Sequence, residues 1–236
     1  MRRKIHILFL AILPLVSVGQ IIEGDYEYSK EFTWGVNKNS NGGLIGGIVL
    51  KHSRIRSERI YTTYGIEFMN VKHPKEQRYT SRQTGTSFIW GKQNFLYSIR
   101  FQYGLERLLY KKAPQQGVQI SLGVAGGPTM GIEAPYYVLT QSGEYAPYDP
   151  DKYFDLRSIQ GSGKLLQGIG ESSIVPGLNA KAGLSFEFGA FRNNVAGVEI
   201  GLLGEVFTRR IILIPTQDNR AFFPSAFFTF FWGTRR

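Results

Sequence analysis

Apolar and polar residues alternate over residues 94–106, which read NFLYSIRFQYGLE. Every second residue from Phe95 to Leu105 is apolar or aromatic, and the residues between them are mostly polar, with Arg100 and Glu106 among them. Because successive side chains of a β-strand point to opposite faces, one face of this segment is apolar and the other polar. The segment therefore predicts a strand that separates two different environments.

The same alternation recurs along the chain and predicts eight strands. The predicted strands are 31–37, 43–52, 59–71, 94–106, 117–125, 177–189, 195–207 and 221–233. The pattern leaves open a continuation of the seventh strand to residue 214. Glycine (28 residues), phenylalanine (17) and tyrosine (13) are abundant, which suits strands and tight turns better than helices.

The predicted connections between these strands alternate in length. Those after the second, fourth and sixth strands are short, whereas residues 72–93 and 126–175 form much longer connections. Transmembrane barrels combine short periplasmic turns, longer external loops and an even number of antiparallel strands. We therefore predict an all-β fold, an eight-stranded antiparallel up-and-down transmembrane β-barrel over residues 31–236, with a long external loop at 126–175. A further hairpin in that loop would make ten strands, and alternation alone leaves open a soluble sandwich of two sheets.

The first nineteen residues have the pattern of a secretory signal peptide. Basic residues at 2–4 precede an apolar segment, and small residues occupy the −3 and −1 positions of a cut between Gly19 and Gln20. The apolar segment is shorter than the roughly 20 residues that a spanning helix requires. We expect a signal peptide at 1–19 and a periplasmic lead-in at 20–30.

Charge and cysteine content limit the possible partners and the cellular location. The chain has no cysteine, so no disulfide holds it together. Its net charge of +10 falls to +7 without the first nineteen residues, which hold three basic residues and no acid. The other basic residues are spread along the chain, and export argues against a nucleic-acid partner. We expect the bacterial outer membrane as the location, with its lipid and lipopolysaccharide as partners.

The aromatic last strand, FFTFFWG at residues 227–233, completes a resemblance to known proteins. The chain resembles the small eight-stranded outer-membrane barrels, the group that includes the OmpA transmembrane domain and OmpX. Its Gln20 start and tyrosine-rich loop are similar, more specifically, to Bacteroidota outer-membrane barrels of the PorT-like kind. The resemblance covers the chain after the signal peptide and concerns architecture, so it implies a fold and a location but no active-site residues.

Charged residues on the predicted inner face form the first candidate site. An eight-stranded barrel is only just wide enough inside for side chains, and charges buried there must be paired. We therefore expect the basic residues to pair with the glutamates and to fill the lumen, and an ion path or gated pore is the alternative. The residues of this predicted network are Glu67, Arg100, Glu106, Lys181, Glu187, Glu199 and Glu205.

The two long loops hold the other candidate sites. Tyr148, Tyr153 and Phe154 are predicted to contact another envelope protein, because tyrosine is enriched at interfaces and long irregular loops are usually functional or disordered. The basic loop 72–93 is predicted to contact lipopolysaccharide, because Lys and Arg bind phosphate, and a solvated loop is the alternative. Its candidate residues are Lys72, Lys75, Arg78 and Arg82.

Catalytic and metal sites have weaker support in the sequence. His73 lies near Glu76 and Ser81 along the chain, but no hydrolase motif relates them. The acids at 149–155 lack the central glycine and final glutamate of a complete calcium loop. We predict a non-enzymatic barrel without cofactor or metal, an anchor or accessory subunit of a secretion or barrel-assembly complex. A lipid-modifying enzyme and a small channel or transport barrel are the alternatives.

Overall fold

Thirteen antiparallel strands make up most of the computed structural model, which describes residues 28–42, 46–111, 117–153, 155–164, 166–188 and 193–236. Two short 3-10 turns, Leu156–Ser158 and Ile169–Glu171, accompany them. The strands are β1 Lys30–Asn39, β2 Gly47–Ser57, β3 Ile60–Val71, β4 Arg78–Thr80, β5 Ser87–Ile89, β6 Asn94–Tyr110, β7 Gln119–Pro135, β8 Tyr137–Thr140, β9 Tyr145–Pro147, β10 Ile159–Ser162, β11 Ser173–Phe188, β12 Asn194–Ile211 and β13 Arg220–Arg235.

Eight of these strands close into a barrel in the order β1-β13-β12-β11-β7-β6-β3-β2. All neighbouring pairs are antiparallel, and β1 closes the ring by pairing with β13, with Trp34 opposite Trp232. The predicted all-β, eight-stranded antiparallel barrel is thus confirmed. No helix in the described ranges is long and apolar enough to cross a membrane. The predicted signal peptide at 1–19 lies outside the described residues.

Side chains alternate between the lumen and the outer surface along the barrel strands. In β1, Phe32 and Trp34 are about half exposed on the outside, whereas Thr33 and Asn37 are buried in the lumen. The outer surface is therefore apolar and the lumen largely polar, the reverse of a water-soluble core. Large apolar side chains exposed on the outer surface include Ile48, Tyr64, Phe68, Phe101, Tyr103, Leu122, Val124, Leu178, Leu202, Phe230 and Trp232.

The two ends of the barrel differ in their connections. Both ends of the described chain meet at one of them, where the backbone N–H of Ser29 donates to the carbonyl of Arg236 at 2.8 Å. The strands β2, β6 and β11 finish at this same end, which we call the terminal end, because consecutive barrel strands run in opposite directions. The long loops 72–93 and 136–172 emerge at the opposite end, which we call the loop end.

The strand β7 extends ten residues beyond its predicted end at residue 125. The external loop therefore begins after Pro135 instead of at 126. Gly126, Gly127 and Pro128 resemble a turn in sequence, yet they lie within the barrel wall. The backbones of β6 and β7 approach closely here, since a Cβ atom on Gly127 would lie 2.3 Å from the carbonyl oxygen of Phe101. Glycine is required for this close contact between strands and does not end the strand.

The five remaining strands stay outside the barrel, so the barrel has eight strands and not ten. The strands β4 and β5 form a hairpin in loop 72–93, and β10, β8 and β9 form a small sheet within loop 136–172. The two loops pack on each other, because the Thr86 hydroxyl donates to the Gln160 carbonyl at 2.7 Å and the backbone N–H of Ile89 donates to the Tyr136 hydroxyl at 3.0 Å. We call these two packed loops the loop cap.

Candidate functional site

Arg100 is the centre of the ionic network in the lumen. Its guanidinium binds the Glu205 carboxylate through two hydrogen bonds, Nε–Oε1 at 2.9 Å and Nη2–Oε2 at 2.8 Å. It also reaches Glu67, with Nη1 at 3.3 Å from Oε2. The Ser98 hydroxyl donates a further hydrogen bond to Glu205. Because β6 and β12 are not neighbours in the ring, the Arg100–Glu205 pair crosses the lumen.

Lys181 makes a second crossing of the lumen. Its ammonium group lies 3.0 Å from Oε1 of Glu67 on β3 and 3.3 Å from Oε1 of Glu199 on β12. It also lies 5.0 Å from the centre of the Phe227 ring, which adds a cation–π contact. A third cation, the ammonium group of Lys51, binds Glu106 at 2.9 Å.

Arg235 extends the network to the terminal end. Its guanidinium binds Glu31 at 2.8 Å and also contacts Glu187. It lies 4.2 Å from the centre of the Tyr28 ring, which in turn stacks on Tyr61 with the ring centres 4.6 Å apart. In this network six carboxylates therefore share four cations, and each carboxylate lies within an ion pair.

Apolar layers lie on both sides of the ionic network. Tyr28, Tyr61 and Leu108 form a buried cluster at the terminal end. A larger cluster fills the lumen at the loop end, where its members contribute from β3, β6, β11, β12, β13 and the loop after β12. This second cluster consists of Val71, Leu96, Val175, Phe207, Ile211, Leu213 and Phe223. The ionic layer is thereby enclosed between two apolar layers.

All seven residues of the predicted network lie buried or half-buried in the lumen and make ion pairs there. Sequence reasoning missed Glu31, Lys51 and Arg235 as further members. Alternation could have identified Lys51, because it lies on the same inward face of β2 as the buried residues Val49 and Ser53. Glu31 and Arg235 stand at strand ends, where the polar face is harder to assign from sequence.

The loop cap has an apolar core of its own, formed by Phe88, Tyr136, Val138, Tyr148 and Ile159. Tyr148 is only 4% exposed, and its ring lies 6.2 Å from that of Trp90 in an edge-on contact and 6.2 Å from that of Tyr153. Burial raises the pKa of its phenol. Tyr148 therefore holds the cap together and is not the free contact surface that the sequence suggested. Tyr153 packs against this core half-buried, and Phe154 lies outside the described residues.

Lys92 joins the loop cap to the barrel wall. The side chain has no exposed surface, and its ammonium group lies 2.5 Å from Oε1 of Glu76 and 4.4 Å from the centre of the Phe95 ring. Burial lowers the pKa of Lys92, and the nearby Glu76 carboxylate partly opposes this. The pair thus supplies an ionic contact at the base of loop 72–93, in contrast to the aromatic core above it.

The basic residues predicted to contact lipopolysaccharide differ in exposure. Lys75, Arg78 and Arg82 are exposed on the loop cap, whereas Lys72 is half-buried. The Lys75 ammonium group donates to the side-chain oxygen of Gln217 at 3.0 Å. Among the described residues, no ion pair joins Arg78 or Arg82 to an acid.

Neither His73 nor the acids at 149–155 form a catalytic or metal-binding arrangement. His73 is buried, with Nδ1 accepting the backbone N–H of Lys75 at 3.1 Å and Nε2 at 3.3 Å from the carbonyl oxygen of Asp218. Asp149 and Asp155 each accept a backbone N–H two residues later in a local turn. Within the described ranges, no group of three or more His, Cys, Asp or Glu side chains could hold a metal ion.

No protein-family model and no curated protein sequence matches the chain. Among solved structures, Ail, the attachment invasion locus protein of Yersinia pestis, aligns over 89% of this chain and 99% of its own, with 10% identity and a TM-score of 0.44. Neisserial surface protein A (NspA) aligns over 88% of this chain and 96% of its own, with 8% identity and a TM-score of 0.42. Ail in complex with the heparin analogue sucrose octasulfate aligns over 89% of this chain and 99% of its own, with 9% identity and a TM-score of 0.41. Identities this low carry no information about ligand or activity.

Proposed function

We propose that this protein is a non-enzymatic β-barrel of the bacterial outer membrane that anchors or completes an envelope complex through its loop cap. The observation that carries the proposal is the reversed polarity of the barrel, with an apolar outside and a charged lumen, next to a cap that has an ordinary apolar core. An apolar outer surface that continues around the whole barrel is stable only where the surroundings are themselves apolar. The barrel strands are 10 to 18 residues long, which suffices for the roughly 9–11 residues of a tilted transmembrane strand.

Aromatic pairs on the outer surface support the membrane location. Trp34 and Trp232 face each other across β1 and β13 with ring centres 5.4 Å apart, and Tyr64 and Tyr103 do so across β3 and β6, also at 5.4 Å. Aromatic side chains of this kind form girdles at the two interfaces of transmembrane barrels. In this arrangement the loop cap lies outside the cell and the terminal end faces the periplasm, after cleavage of the proposed signal peptide at 1–19.

The closed lumen favours an anchor over a channel. Ion pairs cross the lumen at Arg100 and Lys181, and apolar clusters lie on both sides of them. Opening a path would require these buried charges to separate, which is costly because each would lose its partner in a poorly hydrated interior. The enzyme alternative gains no support, since both ring nitrogens of His73 are engaged with the backbone.

The loop cap offers a different partner surface from the one predicted. Large apolar side chains are exposed on it, and these are Tyr145, Leu156, Leu166 and Ile169. Leu156 is 43% exposed on the 3-10 turn that follows Asp155. We assign the contact with another envelope protein to these residues, and the contact with lipopolysaccharide phosphates to the exposed Lys75, Arg78 and Arg82.

Copurification tests the proposal directly. A tagged chain at native expression is solubilised in mild detergent and isolated beside its Leu156→Asp and Gln141→Asp variants, each of which adds one acid to an exposed position of the cap. We expect a stoichiometric set of envelope proteins with the wild type and with Gln141→Asp, and its loss with Leu156→Asp. Repeated recovery of the wild-type barrel alone would overturn the role in a complex.

A further inference from the structure

A cleft of ≈ 240 Å³ opens on the outer surface of β2, β3 and β6 near the terminal end. Its walls combine cationic and aromatic side chains, and the lining residues are Arg54, Ile55, Arg56, Thr62, Tyr64 and Tyr103. Arg54 and Arg56 are exposed on the outer face, on the same side of the wall as Tyr64. None of the functions proposed above uses this cleft.

Two further basic residues lie near the cleft in the strand register. Lys30 stands opposite Arg54 in β1, and Arg107 of β6 stands opposite Ile60, two residues before Thr62. Both are exposed on the outer face. Within the described ranges no ion pair joins these four cations to an acid, and the acid in the adjoining turn, Glu58, forms none either. The cleft is therefore a cationic site whose charges are left for a ligand.

The aromatic side of the cleft continues into the apolar surface of the barrel. The rings of Tyr64 and Tyr103 meet edge-on and are 52% and 55% exposed. The next outward-facing pair along the same two strands is Ile66 and Phe101, which stand opposite each other. A ligand with a phosphate head and an apolar tail would place the head at the arginines and the tail along this strip, whereas a free phosphate would leave the strip unused.

We infer that this cleft binds an anionic glycerophospholipid of the periplasmic leaflet, with its phosphate held by Arg54 and Arg56. The inference rests on the proposed membrane location, which places the terminal end in that leaflet. Arginine forms paired hydrogen bonds to phosphate oxygens, and tyrosine suits the boundary between headgroups and acyl chains. The excess of four cations over one acid disfavours a zwitterionic headgroup, because its ammonium group would be repelled.

Native mass spectrometry of the full chain in detergent tests this site, with dioleoyl phosphatidylglycerol and dioleoyl phosphatidylcholine as the added lipids. We expect the wild type to retain phosphatidylglycerol preferentially, and the double variant Arg54→Gln/Arg56→Gln to retain about thirtyfold less, the order of effect expected from two cations at an anionic headgroup. The matched control Arg157→Gln/Arg210→Gln removes two exposed arginines at the loop end and should bind like the wild type. Arg54→Lys/Arg56→Lys should recover part of the binding.

Three results would overturn the site. The first is equal retention of phosphatidylglycerol by the wild type and Arg54→Gln/Arg56→Gln, with both proteins shown to be folded by circular dichroism. This result would show that the two arginines do not bind the lipid. Displacement of the lipid by glycerol phosphate at equal concentration would show a free-phosphate site. A chain that stays in solution without detergent would overturn the membrane location together with the site, whereas a chain that requires detergent but binds both lipids equally would overturn the site alone.

Discussion

The barrel lumen and the loop cap are two interiors of one chain with opposite chemistry. The lumen encloses six carboxylates and four cations between its apolar end layers, and the cap encloses an aromatic cluster around Tyr148. Both are surrounded by β-structure, so secondary structure does not account for the difference. The outer surfaces account for the difference, because the cap presents mainly charged and polar side chains with a few apolar ones among them, whereas the barrel presents mainly aromatic and aliphatic ones.

The difference shows what the proposed membrane changes. In water, apolar side chains gather inside because burial removes them from solvent. In lipid that driving force is absent on the outer face, so the strands can direct their apolar residues outward and leave polar ones for the lumen. The lumen must then satisfy its charges by mutual pairing, and the cap must exclude water by packing. Each region is therefore sensitive to a different kind of substitution.

Breaking the ionic network of the lumen should cause the largest loss of stability. Arg100→Met leaves Glu205 and Glu67 buried without their shared cation, and we expect a loss of about 3 to 5 kcal/mol in the free energy of unfolding. Urea unfolding in phosphatidylcholine vesicles measures this loss. Arg82→Met, which removes an exposed arginine, is the control, and Arg100→Met/Glu205→Gln should recover part of the loss. An unfolding midpoint equal to that of the control would contradict a structural role for the network.

Truncation in the cap should be costly but local. Tyr148→Ala removes a buried ring, which typically costs about 3 kcal/mol or more, and we expect this loss in the cap alone because its core is separate from the barrel. Hydrogen exchange should rise in residues 136–162 and stay unchanged in β12. Tyr145→Ala, at a position 41% exposed, is the control, and hydrogen exchange should stay unchanged both in residues 136–162 and in β12. Equal destabilisation of β12 would show that the two interiors form one cooperative unit.

The Lys92–Glu76 pair gives the cap a pH dependence that its aromatic core lacks. Burial lowers the pKa of Lys92 in the folded cap, so between that lowered value and the ordinary value near 10.5 the unfolded cap binds more protons. The cap should therefore become more resistant to proteolysis as the pH rises through this window. Lys92→Met/Glu76→Gln should remove this slope at little cost, since it leaves no unpaired charge buried. A slope retained in the double variant would assign it to another group.

A change at the terminal end is expected to have the smallest effect on the closure of the lumen. Tyr28→Ala loses the stacking on Tyr61 and the contact with Arg235, each worth about 1 kcal/mol. The ionic layer remains in place, so we expect no stable conductance in planar bilayers from either the wild type or the variant. Steady single-channel steps from Tyr28→Ala would show that this layer does not close the lumen by itself.

Alternation in the sequence was sufficient to predict the barrel and the faces of its strands. Arg100 and Glu67 were assigned to the lumen from their positions between outward-facing apolar residues, and the structure places both there. The strand ends were harder to predict, since Gly126 and Gly127 look like a turn but lie in the wall of the barrel. Glycine marks both turns and close strand contacts, and only the neighbouring strand distinguishes them.

The sequence by itself thus determined the eight barrel strands, their polarity and seven of the ten charged residues of the lumen network. These properties follow from a period of two residues, which is local. The pairing of Arg100 with Glu205 and the packing of Tyr148 against Trp90 were decided only by the tertiary structure. The first requires the ring to close so that β6 and β12 face each other, and the second requires two loops far apart in the chain to fold together, so neither leaves a local signal.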